Sequence, residues 1–525
     1  MTPPKEKRDP KEAARRASAR AEEGKAKHAK PPAKPKDVVF PVSELWRAVS
    51  EEEEVGLANL GVKALKQHFA YDMQRGVFLE LTPGGGYFAE DHAGQIKVAL
   101  QKALRPQLEQ QKDALTTEAY RQDTSKEDRG RAEAARKKYI SALKRLSSKH
   151  SLDNLTDLMR TGRDSLARDN ADFDRDPWAL HCLNCRVDLR TGQEREGRHE
   201  DMSTKYCQAV WRGLQYEHPA WNAYMESLLP ADMAEYLQHF VGYAITGIQR
   251  KAFAIFFSKF SDSGKTLLLE TFKSVFGNYA GMLPAALLME DKKGKGLGPT
   301  PELAALQGLR LAFLSESGKS DHFEVARLKW LTGGDTLVAR GLFAKPVSFE
   351  PTHTLFLASN HLARIGIDED AMWGRIHVFK FPYAFKDNPT KPHERPIDPD
   401  LKDQLRQEEV KSAVLAWAVR GCLAWQGNGQ KFNPPLSSRE ALENYRLNED
   451  YLESFVRACC LVGKDYREQA KPLHEAYSKW HVEEFGQNSK PLGRRKFCEA
   501  MAGKFEKDDD GRYHYYLGLR LQSSF

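Results

Sequence analysis

The sequence predicts an α/β fold built on a parallel sheet, with a mostly helical region before it and a helical region ending in a hairpin after it. Three observations carry that reading. "AFAIFF" (Ala252–Phe257) is an apolar run of strand length, as a buried parallel strand requires. "FFSKFSDSGKT" continues from it and ends as a phosphate-binding loop does, and "TLLLETFKSVFGNY" then places Leu268, Leu269, Phe272, Val275 and Phe276 near helical spacing until Gly277. Strand, loop and helix in that order are the context this loop pattern needs. The third observation is the long stretch Ala93–Asn170, charged and poor in Gly and Pro, which reads as helix.

Before the core, residues 1–36 carry twelve Lys/Arg against five Asp/Glu, which accounts for the whole net charge of +7. The rest of the chain balances, with 68 residues of each sign. This basic, Pro- and Ala-rich tail is expected to be disordered, and it is either a contact for nucleic-acid phosphates or a solubilising end. Residues 37–170 form an N-terminal region that is mixed and then helical. "YDMQRGVFLELTPGGGYF" alternates and breaks at Gly84–Gly86, which predicts a small β element. The polar helical stretch after it reads as a solvated arm. Residues 171–250 lead into the core. There "DPWALHCLNCRVDLRTG" predicts a short strand and a turn at Thr191–Gly192, and "EYLQHFVGYAITG" a helix ending at Gly247. Residues 251–390 are the α/β core, and 391–525 the helical C-terminal domain.

The 525 residues suggest roughly two to four domains. No run of about 18 apolar residues predicts a transmembrane helix, and the charged N-terminus lacks an apolar signal core. Both point to the cytosol. Seven cysteines in so long a chain do not suggest a disulfide framework. Cys182 and Cys185 have metal-like spacing, but only Cys207 and His181 stand near enough to complete a zinc set, so a plain strand and turn is the favoured reading.

Within the loop, Ser261, Asp262, Ser263, Gly264, Lys265 and Thr266 are the nucleotide-binding candidates. Gly264 lets backbone approach the phosphates at a helix N-terminus, Lys265 reaches the β/γ-phosphates, and Thr266 offers a hydroxyl to Mg²⁺. The first glycine of the usual pattern is replaced by Lys259. A second strand, "LRLAFLSES", is expected beside the first and brings Glu316 to its exit, where a carboxylate can polarise the attacking water. Ser315 precedes it in place of the commoner aspartate. A third strand, "THTLFLASN", ends at Asn360, whose amide can orient the water or sense the γ-phosphate.

Taken together, "DPWALHCLNCRVDLRTG", "GYAITG", "LKWLTGGDTLVAR" (Leu328–Arg340), "LFLASN" and "DAMWGRIHVFKF" resemble, in that order, the superfamily 3 helicases of the AAA+ class. The resemblance is to the phage and plasmid primase–helicase branch shared with poxviruses, and spans about Asp172 to Phe385. It implies an AAA+ motor using ATP and Mg²⁺, assembled as a ring, a hexamer, with ATP sites between subunits. Lys265, Thr266, Glu316 and Asn360 match the nucleotide positions. Arg375 matches an arginine reaching a neighbour's ATP, although the family often has two arginines there. "RGLFAKPVSFE" (Arg340–Glu350) resembles the hairpin that enters the ring channel, with Lys345 near its tip to meet a DNA phosphate.

The C-terminal segments "KPLHEAYSKWHVEEFG", "PLGRRKFCEAMAGKF" and "YHYYLGLRL" fit a winged-helix-like domain, in which Arg494, Arg495 and Lys496 open the second helix toward phosphates. The implied partners are single-stranded or forked DNA, further copies of the chain, and a primase or replication factor, in the cytosol of a bacterial host and away from membranes. The N-terminal region is too short, and too poor in clustered acids, for a priming site. The leading expectation is an ATP-dependent replicative helicase or replication initiator of a phage, plasmid or integrated element. A regulatory AAA+ ATPase that assembles on DNA without unwinding it, and a purely structural DNA-binding ring, remain open.

Overall fold

The computed structural model describes residues 38–522 except 163, 291–299, 316–321, 342–345, 366–368, 450, 486–490 and 512. The basic tail of residues 1–36, Glu316 and Lys345 therefore lie outside the described residues. The chain divides into two compact units, one reaching Leu81 and resuming at Phe88–Asp172, the other comprising Thr82–Tyr87 and Phe173–Phe525.

The first unit opens with helices α1 (Val42–Ser50) and α2 (Glu53–Leu65). A four-stranded sheet follows, of order β3-β2-β1-β4, from β1 (Phe69–Asp72), β2 (Val77–Leu81), β3 (Phe88–Glu90) and β4 (Ala167–Arg168). This is the β element that the alternation around Phe78 predicts. Helices α3 (Gln95–Ala119), α4 (Lys126–Arg145) and α5 (Lys149–Met159) fill the rest. The expected solvated arm is instead a packed bundle. Ile96, Leu100, Leu104 and Leu108 run down one side of α3 and share a core with Leu57 and Leu65 of α2, Tyr139 and Ala142 of α4, and Leu155 and Met159 of α5. A stripe that narrow leaves most helix positions polar, so composition alone hides it.

The second unit starts with an antiparallel meander of β5 (Ala179–His181), β6 (Arg186–Asp188) and β7 (Gln193–Arg195). The turn predicted at Thr191–Gly192 is present, closed by Gly192 N–H donating to Asp188 O at 2.7 Å. Cys182, Cys185 and Cys207 are buried free thiols here; against a lowering hydrogen bond with Cys185, the hydrogen bond with Cys207 and then burial raise the Cys182 thiol well above its ordinary value. Among the described residues no group of three or more His, Cys, Asp or Glu could hold a metal ion. Helices α6 (Pro219–Leu228) and α7 (Ala231–Ala244) lead into the central sheet.

That sheet has order β14-β8-β13-β10-β9 and is parallel throughout. Its strands are β8 (Phe253–Phe257), β9 (Ala280–Pro284), β10 (Leu311–Ser315), β13 (Thr354–Ser359) and β14 (Ile376–Lys380). Alternate residues face two cores. Ala254, Phe256, Phe313, Phe356 and Phe379 point to one, shared with α7, α8 (Lys265–Phe276) and α10 (Glu408–Gly427). Phe253, Ile255, Leu314, Leu357 and Val378 point to the other, shared with α9 (Val325–Leu331), the hairpin β11 (Leu337–Arg340) and β12 (Pro346–Phe349), and Tyr445 of α11 (Leu436–Glu449). Helices on both faces are what a parallel sheet needs. The neighbours of β8 are β14 and β13, and β10 lies beyond β13, so the strand expected beside the phosphate loop is separated from it by the strand that leads into Asn360.

Helices α7 and α10 cross through glycine. A Cβ on Gly242 would lie 2.1 Å from Cys422 N, and one on Gly421 2.1 Å from Gln238 O. The chain ends as helix, strand, two helices and two strands. These are α12 (Tyr451–Cys459), β17 (Cys460–Gln469), α13 (Ala470–Phe485), α14 (Arg494–Ala502), β18 (Lys507–Asp509) and β19 (His514–Leu521), with the antiparallel sheet ordered β17-β19-β18. The predicted final hairpin is β18–β19. No helix among the described residues is long and apolar enough to cross a membrane.

Candidate functional site

The loop after β8 turns through Asp262 (φ 55°) and Gly264 (φ 79°), and α8 begins at Lys265. The first-turn N–H groups of a helix have no partner within it, so this terminus favours an anion. Lys265 is 8% exposed, and its Nζ donates to Ser263 Oγ and Asn360 Oδ1, both at 2.7 Å. One ammonium thus ties the loop to the end of β13. With Asn360 Oδ1 accepting that bond, its Nδ2 is the part of the amide left to meet a phosphate or a water.

Tyr224 of α6 supports the loop from beneath, donating its hydroxyl to Gly264 O at 3.1 Å. Burial pushes its phenol pKa up, so it stays a donor. Space is tight there: a Cβ on Gly264 would stand 2.5 Å from Leu228 Cδ1. A strap following β14, formed by β15 (Ala384–Lys386) and β16 (Glu394–Pro396), holds the outer lip. Phe385 N–H donates to Asp262 O at 2.9 Å, and Lys386 Nζ pairs with Asp262 Oδ2 at 2.9 Å. The hydrogen bond from Lys386 holds the Asp262 carboxyl below its ordinary pKa. The Phe260 ring stacks on His393 with centroids 4.4 Å apart. None of these supports is visible in the loop motif, because the strap lies more than 120 residues later.

The loop, Asn360 and the strap line a cavity of about 620 Å³. That volume is in the range of small-molecule sites. Ser261 and Thr266 are exposed at it and Ser263 is buried. A triphosphate with its Mg²⁺ fits this donor set: backbone N–H groups, an ammonium, an amide and the Thr266 hydroxyl.

Other candidates lie elsewhere. β10 ends at Ser315, level with Ala358 of β13, and Glu316 lies outside the described residues. Arg375 is at the opposite edge: Ile376 pairs with Phe253 at the start of β8, whereas the loop leaves from Phe257 at its end. Four residue steps put about 13 Å of strand between them. Lys345 belongs to the connection between β11 and β12, which pair antiparallel as a hairpin. Arg494, Arg495 and Lys496 are exposed in the first turn of α14, with Arg495 Nε 2.9 Å from Glu499 Oε1.

Comparison with known proteins gives a consistent picture. The family described as "D5 N terminal like" matches residues 46–230, a segment that includes the N-terminal region which the motifs alone left unassigned. A candidate helicase of Acanthamoeba polyphaga mimivirus, L207/L206, is 25% identical over 305 residues, 55% of this chain and 30% of that protein. A candidate primase of African swine fever virus (strain Badajoz 1971 Vero-adapted), C962R, is 26% identical over 307 residues, 54% of this chain and 31% of that protein. The aligned stretch spans less than a third of the length of either. Among solved structures, the apo C-terminal region of NrS-1 aligns at 12% identity and a TM-score of 0.47, covering 90% of this chain and 100% of that one. The similarity is to a primase–helicase branch shared with large DNA viruses, as the motifs indicate.

Proposed function

We propose that the chain is an ATP-dependent replicative DNA helicase or replication initiator of a phage, plasmid or integrated element, with an AAA+ motor working as a hexameric ring. The observation that carries it is the Lys265 ammonium, fixed between Ser263 and Asn360 at the N-terminus of α8 and the end of a parallel sheet. The viral relatives named for helicase and primase functions support the replication context.

In this reading Lys265 and the first-turn amides hold the β/γ-phosphates, and Thr266 holds Mg²⁺. Asn360 Nδ2 orients the attacking water while Glu316 takes its proton. Arg375, at the far edge from its own loop, serves the site of the next subunit and stabilises charge developing on the transferred phosphoryl group. The β11–β12 hairpin presents Lys345 to single-stranded or forked DNA. The α12–β19 segment has the helix and strand order of a winged-helix module, with Arg494, Arg495 and Lys496 meeting phosphates. A primase or replication factor is the further partner.

Strand displacement on forked DNA with ATP, run beside particle imaging, tests this. Rings that separate strands only with ATP and Mg²⁺ support it. ATP hydrolysis on DNA without strand separation favours the second reading, a regulatory DNA-binding ATPase, for which the side chain of Lys259 in place of the first loop glycine is the motivating feature. Absence of hydrolysis removes both.

A further inference from the structure

Charge is unevenly placed on the helices of the first unit. Between Arg129 and Lys149 the chain carries eight Lys/Arg and one Asp/Glu. A solvated helix face alternates its signs, and like charges side by side destabilise a helix, so folding alone gives no reason for such a run. Part of it is answered within the unit: Arg131 pairs with Glu127 at 2.6 Å, and Lys138 and Arg145 reach Glu53 of α2 at 3.8 and 2.5 Å. Lys137 and Lys144 are exposed and, among the described residues, have no acidic partner. They stand seven residues apart, so they share one side of α4 at a spacing of about 10 Å. On that side an open cleft of about 390 Å³ is lined by Ile140, Leu143, Lys144 and Ser147 of α4 and its end, by Lys112 of α3, and by Ser148. Arg105 of α3 reaches the same cleft, donating to Ser147 Oγ at 3.0 Å. The acids here are Glu109, 3.8 Å from Arg105, and Asp113, 3.0 Å from Lys112, so the excess positive charge comes from α4.

We propose that this α3–α4 face binds the phosphate backbone of duplex DNA; the inference rests on the DNA-binding part of the reading above and not on the ATP site. Lys137 and Lys144 on α4, and Arg105 and Lys112 on α3, form two rows of cations. Each pair is seven residues apart, and packed helices set the rows about 8–10 Å from each other. Phosphates of the two strands face each other across grooves of about 6 and 12 Å, which two rows at that separation can bridge. The Ser148 hydroxyl accepts from Ser151 N–H at 3.5 Å and keeps its own hydrogen for a phosphate oxygen. Single strands are held by stacking their bases on aromatic rings. No aromatic ring lines this cleft, so the paired backbone is the form of DNA that suits it. Contacts of this kind carry no base information, and binding is independent of sequence.

The test measures binding of the full chain to a blunt duplex, to oligothymidylate and to polyglutamate by fluorescence anisotropy over a range of salt, without nucleotide. Each phosphate contact contributes about 0.9 to the slope of log affinity against log salt. Lys137→Gln with Lys144→Gln removes two, so the duplex slope should flatten by about 1.8, and the gap to wild type should widen about 60-fold for each tenfold dilution of salt. Lys137→Glu with Lys144→Glu should weaken the duplex further, while oligothymidylate binding changes less in both variants. An unchanged unfolding midpoint and basal ATP hydrolysis show that the positions, exposed on their helix, leave the fold intact. Wild-type duplex affinity and salt slope in both variants overturn the proposal, and oligothymidylate binding by the same proteins then keeps the wider DNA reading. Equal losses on duplex and single strand overturn the duplex assignment. Loss of polyglutamate binding with duplex binding intact overturns it in favour of an acidic protein. If the wild-type chain binds neither DNA at low salt, the DNA reading fails and this face with it.

Discussion

Replacing Lys265 by Ala separates ligand binding from folding, and the structure allows both to be sized. In the folded chain Nζ makes two hydrogen bonds of 2.7 Å in a site where the residue is 8% exposed. Each bond from a charged donor contributes about 1.5–3 kcal/mol. Withdrawing the ammonium from water costs several kcal/mol in return. The two nearly cancel, and Asn360 is exposed enough for water to replace the lost donor. Folding stability should therefore shift by only about 1 kcal/mol in either direction. Toward ATP nothing offsets the loss. One charge-assisted phosphate contact of about 2–3 kcal/mol disappears, which weakens binding roughly 30- to 150-fold. Hydrolysis should fall to background, since the same charge stabilises the transferred phosphoryl group. Chemical unfolding, ATP titration and phosphate release measure the three quantities. Asn360→Ala in the same background should add less than it does alone, because the two side chains form one hydrogen-bonded unit. Wild-type turnover in Lys265→Ala, or loss of the fold with ATP binding intact per folded molecule, refutes the assignment of the loop.

Lys345→Ala should keep basal ATP hydrolysis near normal while DNA stimulation and unwinding are lost, and a wild-type unwinding rate would remove the channel-hairpin role. Gly242→Ala should destabilise the second unit by about 1–3 kcal/mol or more, because the new Cβ lands 2.1 Å from Cys422 N where two helix backbones meet; an unchanged unfolding midpoint would contradict that crossing. His353 is 1% exposed, and burial lowers its pKa to about 4 from 6.5. Its neutral form is favoured in the fold, so its contribution is complete above pH 6.5 and is lost as pH falls from there through 4. Between pH 7 and pH 4.5 that is about 2–3 kcal/mol. His353→Leu should flatten the acid limb of the stability profile by that amount, and an unchanged slope would show that His353 does not titrate on unfolding.

The core was legible because its strands are apolar on both faces. Leu311–Leu314 and Leu355–Leu357 are continuous hydrophobic runs, the mark of a parallel sheet covered on two sides. Strand order was not. Nothing in the run ending at Ser315 announces that β13 inserts between it and β8, since each crossover sets that over many residues. The packed helices of the first unit are hidden in the sequence for a different reason. In α3 the buried residues recur only at positions such as Ile96, Leu100 and Leu104, and the polar remainder dominates any average. The loop residues and Asn360 were found from motif order, whereas Tyr224, Phe385 and Lys386 were not, because contacts to a loop made by segments 40 and more than 120 residues away leave no local pattern.

The missing glycine at Lys259 becomes intelligible in the same terms. A glycine at the start of such a loop supplies a backbone conformation that other residues resist. Here the left-handed positions fall at Asp262 and Gly264, and Lys259 is not among the positive-φ residues. For a non-glycine residue that conformation costs about 1–2 kcal/mol, least for Asp and Asn, whose short polar side chains can bond locally. Asp262 is such a residue, and the strap acts on both of its polar ends: the Phe385 N–H on its carbonyl and the Lys386 ammonium on its carboxylate. Two contacts of this kind suffice to offset the cost. The strain has been moved from the entrance of the loop to its middle, where a neighbouring segment can hold it. A pattern written only in glycines therefore scores this loop as incomplete, although its backbone is fixed by a segment more than 120 residues further along the chain.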